Sequence, residues 1–65
     1  MIEDAIIDWV DDHSGACTDE EAAKQIADLY DDDPDYILHI IHELLELEAI
    51  GKHIDHDRIV LVAIE

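Results

Sequence analysis

Apolar residues recur at helical spacing in three blocks, then change to the denser spacing of strands near the C-terminus. Ile2, Ala5, Ile6, Trp9 and Val10 form the first block, and Glu3 and Asp4 occupy the turn where a helix dipole favours anions. They predict a helix over about Ile2 to Asp12. His13-Ser14-Gly15 supplies its stop, because Gly15 can take the left-handed conformation that ends helices. Thr18-Asp19-Glu20-Glu21 is a capping box, in which the Thr18 hydroxyl accepts from the amide of residue 21 and Glu21 reaches back to the amide of residue 18. The second helix follows, with Ala22, Ala23, Ile26, Ala27, Leu29 and Tyr30 as its buried side.

Asp33 suits the N-cap and Pro34 the first position of a third helix, expected to run to about Ala49 and to be ended by Gly51. At about 100° per residue, Tyr36, Ile37, Leu38, Ile40, Ile41, Leu44, Leu45 and Leu47 span about 220°, which implies burial on more than one side. Asp35, His39, His42, Glu43 and Glu46 hold the remaining face, while Glu48 falls inside the apolar arc near the helix end. After Gly51, Lys52-His53-Ile54-Asp55 reads as a short strand, Asp55 to Arg58 as a turn, and Ile59-Val60-Leu61-Val62-Ala63-Ile64 as a longer strand. That last strand is apolar throughout, so one face is expected to pack on the helices and the other to need cover from helix one or a second chain.

A chain of 65 residues makes one domain, 1–65, near the lower limit for folding on a hydrophobic core alone. Hydrophobic residues make up 49% of it, with eleven Ile and six Leu but no Phe, which is too apolar for a disordered acidic tail. The single Cys17 excludes an internal disulfide, and a cytoplasmic location is expected. No apolar run approaches the roughly 18 residues of a membrane span, and the opening Met-Ile-Glu-Asp does not resemble a signal sequence.

Charge changes the picture most. Nineteen acids against three cations leave a net charge of -16, distributed along every segment, with 12 Asp, 7 Glu and only Lys24, Lys52 and Arg58 as cations. Self-repulsion is strong at low salt, where the screening length of about 30 Å exceeds the molecule, and falls away in molar salt, where it is about 3 Å. This composition is similar to that of cytoplasmic proteins from salt-in halophilic archaea, the alternative being an ordinary acidic protein with a solvated surface.

The order helix, capped short helix, tight turn, longer helix, Gly and hairpin, with Thr18-x3-Ala22-x3-Ile26-Ala27-x-Leu29, then Ile37-x3-Ile41-x2-Leu44-x2-Leu47, then Glu48-x2-Gly51-x2-Ile54, resembles the winged helix-turn-helix superfamily over essentially the whole chain. These are packing positions. The resemblance implies an α+β, three-helix winged helix-turn-helix-like domain with a C-terminal β-hairpin, and a short extra strand near Ala16 and Cys17 that pairs with the wing. It also implies a recognition helix, the third, whose exposed face would enter the major groove. Carried onto this chain, the DNA-contact candidates are Lys52, Arg58, His39 and His42, among positions that are otherwise anionic. Duplex binding rests on several Lys or Arg neutralising phosphates, so the charge disfavours it.

Other constellations are weaker. His39 and His42 share a helical face and His53 and His56 flank the hairpin turn, but nothing in the sequence brings the two pairs together, and no metal site or cofactor is expected. The Asp31 to Asp35 run lacks the alternating ligands and central Gly of a calcium loop. Cys17 reads as a small apolar residue packing over the start of helix two. Ser14 and Thr18 have no base and orienting partner, so no catalytic residue is assigned and an enzyme is not expected. What remains is an interaction module: Leu38 and Leu45 at the flank of the helical arc, with Val60, Val62 and Ile64 on the last strand, are the candidate interface residues for a homodimer or another protein. The alternative is a transcriptional regulator that contacts DNA through the wing and helix three.

Overall fold

The computed structural model describes residues 2–64. Helices α1 (Ile2–Asp12), α2 (Asp19–Tyr30) and α3 (Pro34–Glu46) precede an antiparallel hairpin of β1 (Ile50–Asp55) and β2 (Arg58–Ala63), an α+β arrangement of winged helix-turn-helix-like order. The predicted capping box starts α2: Thr18 Oγ1 accepts from the Glu21 amide at 3.3 Å, and Glu21 Oε1 accepts from the Thr18 amide at 3.0 Å. At α3 the Asp33 carboxylate accepts from the Asp35 amide at 3.0 Å, and Pro34 opens the helix, where its missing N–H costs nothing.

Five isoleucines and one valine are the largest fully buried side chains: Ile6, Val10, Ile26, Ile37, Ile41 and Ile50. Each contributes about 1.5–3 kcal/mol of burial free energy, and their branched Cβ atoms restrict χ1, which gives a core without Phe a defined packing. Ala22, Ala23 and Ala27 are also buried and present little bulk on the packed side of α2.

The helix ends depart from the sequence expectation. Leu29 and Tyr30, expected on the buried side of α2, are exposed: Tyr30 is the last helical residue, and the chain leaves through Asp31 at φ 53. Tyr36 in the first turn of α3 and Leu47 just past its end are exposed because they point about 90° and about 70° away from the centre of the face formed by Ile37, Ile40, Ile41 and Leu44. α3 itself stops at Glu46 and not near Ala49. Counted at about 100° per residue from Ile37, a helix continued to residue 48 would aim Glu48 at the middle of the core face. The chain instead closes a Schellman turn, with Glu48 N–H donating to Leu45 O at 3.2 Å and Ala49 N–H to Leu44 O at 2.9 Å, while Glu48 takes φ 60. The carboxylate is thereby turned out to solvent.

Gly51 therefore does not end α3. It lies in β1 opposite Val62, and a Cβ added there would meet Val62 Cγ2 and Ile64 Cγ1, each at 3.3 Å. Its missing side chain lets those two lie across the strand. The hairpin closes on His56 and Asp57, at φ 48 and φ 68, the paired positive φ values of a type I′ turn.

The outer edge of β2 is covered from within the chain. Gly15 N–H donates to Leu61 O and Leu61 N–H to Cys17 O, both at 2.8 Å; Ala63 N–H donates to Ser14 Oγ at 3.0 Å; Thr18 bridges Val60. Gly15 sits at φ 79, a conformation that suits glycine. The connection after α1 thus acts as the third, minimal strand, reduced to one bridge at Thr18. Val60, expected at an interface, is 2% exposed and takes no part in any surface; the fold's own loop occupies that edge.

Candidate interaction surface

The face that a winged helix would offer to DNA is built from the N-terminus of α2, the outer side of α3 and the wing. α3 projects Asp35, His39, His42, Glu43 and Glu46 outward, all exposed, because its apolar residues take the opposite side. Three of the four DNA-contact candidates on this face are already engaged by carboxylates. Arg58 reaches 37 residues back along the chain to Glu21 Oε1, the same oxygen that caps α2. His42 Nε2 lies 2.9 Å from Asp19 Oδ2, and His39 Nε2 lies 3.0 Å from Glu43 Oε1. Lys52 makes no ion pair with a described residue, but it lines a hollow of about 160 Å³ together with Asp19 and His42, over a floor of Leu45, Ile59 and Leu61.

The Glu21 carboxyl titrates below its ordinary value near 4.5, chiefly because it accepts the Thr18 amide, with further help from the Thr18 side chain and the Arg58 charge. These exposed pairs add little stability individually, because solvent screens them. Their effect is on availability: a phosphate approaching Arg58 or His42 meets a carboxylate already in place.

The hydroxyl and thiol groups near this face are committed to structure. Thr18 Oγ1 accepts in the cap, Ser14 Oγ accepts from Ala63 N–H, and half-buried Cys17 accepts weakly from Gln25 Nε2 at 3.6 Å. The His42–Asp19 pair can orient an imidazole, and among the described residues no hydroxyl or thiol is hydrogen-bonded to that ring. Among the described residues no three His, Cys, Asp or Glu side chains converge to hold a metal ion, and no helix is long and apolar enough to cross a membrane. His53 and His56 stay on the hairpin, where His56 sits 3.7 Å from Asp55, away from the His39 and His42 pairings.

A second surface lies between the end of α3 and the base of the hairpin. Leu45, Ile50, Gly51 and Ile64 line a groove of about 390 Å³, with Glu46, Glu48 and Lys52 at its rim. A smaller hollow of about 200 Å³ continues past Ile50 and Ile64 to Ile7 and Ala63, beside Asp8 and Asp11 of α1. The structure therefore gathers Leu45, Ile64 and the adjoining Val62 in one region, whereas Leu38 lines a separate hollow with Ala23, Lys24 and Pro34. Sequence periodicity missed Ile7, Ala49 and Glu48 as groove residues. Glu48 carried a signal, since a carboxylate inside an apolar helical arc marks a place where the helix must end.

At α1's C-terminus, His13 Nδ1–H donates to Trp9 O at 2.8 Å and the two rings stack with centroids 4.1 Å apart. His13 thus completes the stop as a side-chain cap. Compared with family models, curated proteins and solved structures, the chain matches none.

Proposed function

We propose that the chain is a non-enzymatic winged-helix module that acts through protein–protein contact in a high-salt cytoplasm, with the DNA-reading surface of its scaffold given over to acids. The observation that carries this is the pairing of Arg58, His42 and His39 with Glu21, Asp19 and Glu43, which leaves Lys52 as the one candidate phosphate contact on this face without a carboxylate partner among the described residues. Salt does not restore the DNA alternative, because screening the repulsion also removes the counterion release that drives phosphate binding.

A high-salt setting is supported by the helix termini. None of the three helices has a basic residue in its last turn, and α1 ends on Asp11 and Asp12. Acids there oppose the helix dipole by about 0.3–1 kcal/mol each at low ionic strength, a cost that concentrated salt screens.

The test is an NMR titration with duplex DNA, in dilute and in molar KCl. Amide shifts of Lys52, Arg58 and the α3 face are expected to stay unchanged in both. Saturable shifts confined to the wing and α3 would restore the DNA-binding regulator.

A further inference from the structure

Ile64 is 50% exposed at the junction of the two hollows that flank Ile50, so a strongly apolar side chain sits at the centre of a concave surface instead of closing it. Building on the protein-binding role proposed above, we infer that this groove takes a basic amphipathic segment of another protein, in which Lys or Arg residues are interleaved with large aliphatic ones.

Three features specify that chemistry. The floor is aliphatic, from Leu45, Ile50 and Ile64, and its volume lies within the roughly 300–1,000 Å³ of clefts that receive side chains. The rim is acidic on two sides, Glu46 and Glu48 from the end of α3 and Asp8 and Asp11 from α1, with Lys52 as the one cation lining it among the described residues. Glu48 holds φ 60, where glycine would be unstrained, so a carboxylate is kept at the rim at a cost in backbone energy.

Charge selects the occupant. A second copy would bring the same acids against this rim, like charge against like. A basic segment meets it with opposite sign. In molar salt only ion pairs at contact distance survive a screening length of about 3 Å, while apolar burial persists, so the partner needs aliphatic residues as well as cations.

The experiment uses the whole chain and two probes, an amphipathic Leu/Lys peptide and tetralysine, followed by amide NMR in dilute and molar KCl. The Leu/Lys peptide is expected to shift Leu45, Ala49, Ile50, Gly51 and Ile64 at both salt concentrations, whereas tetralysine loses its effect in molar KCl. Ile64→Ser, with folding checked by circular dichroism, should weaken the peptide about tenfold. The double change E46K/E48K leaves the aliphatic floor and should also weaken it. Equal binding of a Leu/Glu peptide, shifts centred on Asp35 and Glu43, or concentration-dependent groove shifts without any peptide would each overturn the inference, the last by assigning the groove to a second copy. A groove silent to the peptide in a chain also silent to DNA sinks this proposal alone, whereas DNA-induced shifts on the wing sink the protein-binding role beneath it.

Discussion

Replacing Glu48 with glycine should make the protein more stable. Glu48 sits at φ 60 in the Schellman turn that ends α3, a conformation that costs an ordinary L-residue about 1–2 kcal/mol and glycine almost nothing. Glycine also loosens the unfolded chain, which takes back about 0.4–1 kcal/mol. The net gain is about 0.5–1 kcal/mol, or about 2–8 °C in Tm for a domain of this size. The change also removes one acid from a chain of net charge -16, which would stabilise by itself at low salt. Glu48→Ala separates the two effects, because it removes the same charge and keeps the Cβ. Thermal denaturation by circular dichroism in molar KCl, with repulsion screened, should rank glycine above both alanine and the parent. An alanine variant as stable as the glycine variant would refute the backbone account and leave charge relief as the cause. The more stable glycine variant should also bind the Leu/Lys peptide less tightly, since the rim loses a carboxylate.

Asp57→Gly relieves φ 68 in the type I′ turn and should add about 0.5–1 kcal/mol in urea denaturation, with no change in m-value. Asp12→Lys places a cation at the C-terminus of α1 and should raise Tm in dilute buffer, with the gain shrinking in molar KCl. Glu21 has a folded-state pKa below its unfolded value, so its contribution is present above the ordinary value near 4.5 and lost as pH falls through the lowered one. Acid titrations of stability should therefore show a shallower loss below about pH 4.5 in Glu21→Gln than in the parent, and parallel curves would contradict the coupling. Ile41→Val removes one methylene from a fully buried site and should cost about 0.5–1.5 kcal/mol by chemical denaturation.

Local interactions made much of the fold readable in one dimension. The capping box at Thr18 and Glu21, Pro34 after Asp33, Gly15 at φ 79 and the turn at His56 and Asp57 depend on atoms within a few residues of one another. The same holds for which side of each helix is apolar: Ile37, Ile40, Ile41 and Leu44 are buried as their spacing requires, and Asp35, His39, His42, Glu43 and Glu46 face out. Periodicity failed in the width it gave each apolar arc: Leu29, Tyr36 and Leu47 sit about 70–90° from the centre of the buried face of their helix, and Tyr30, which has the right angle, is the last helical residue.

Tertiary structure decided what the surfaces are. Spacing could show that β2 needed cover, but only the folded chain shows that Ser14 to Thr18 supplies it, burying Val60 and withdrawing it from any interface. The pairing of Arg58 with Glu21 and of His42 with Asp19, across 37 and 23 residues, turns a count of charges into a face where both side chains are already held by carboxylates. The groove around Ile64 likewise joins the end of α3, the base of the hairpin and α1. A sequence records each residue's neighbours along the chain, and so determines caps, turns and helix faces. Which cation meets which carboxylate, and which apolar side chain stays uncovered, depends on distances that exist only after the elements have packed.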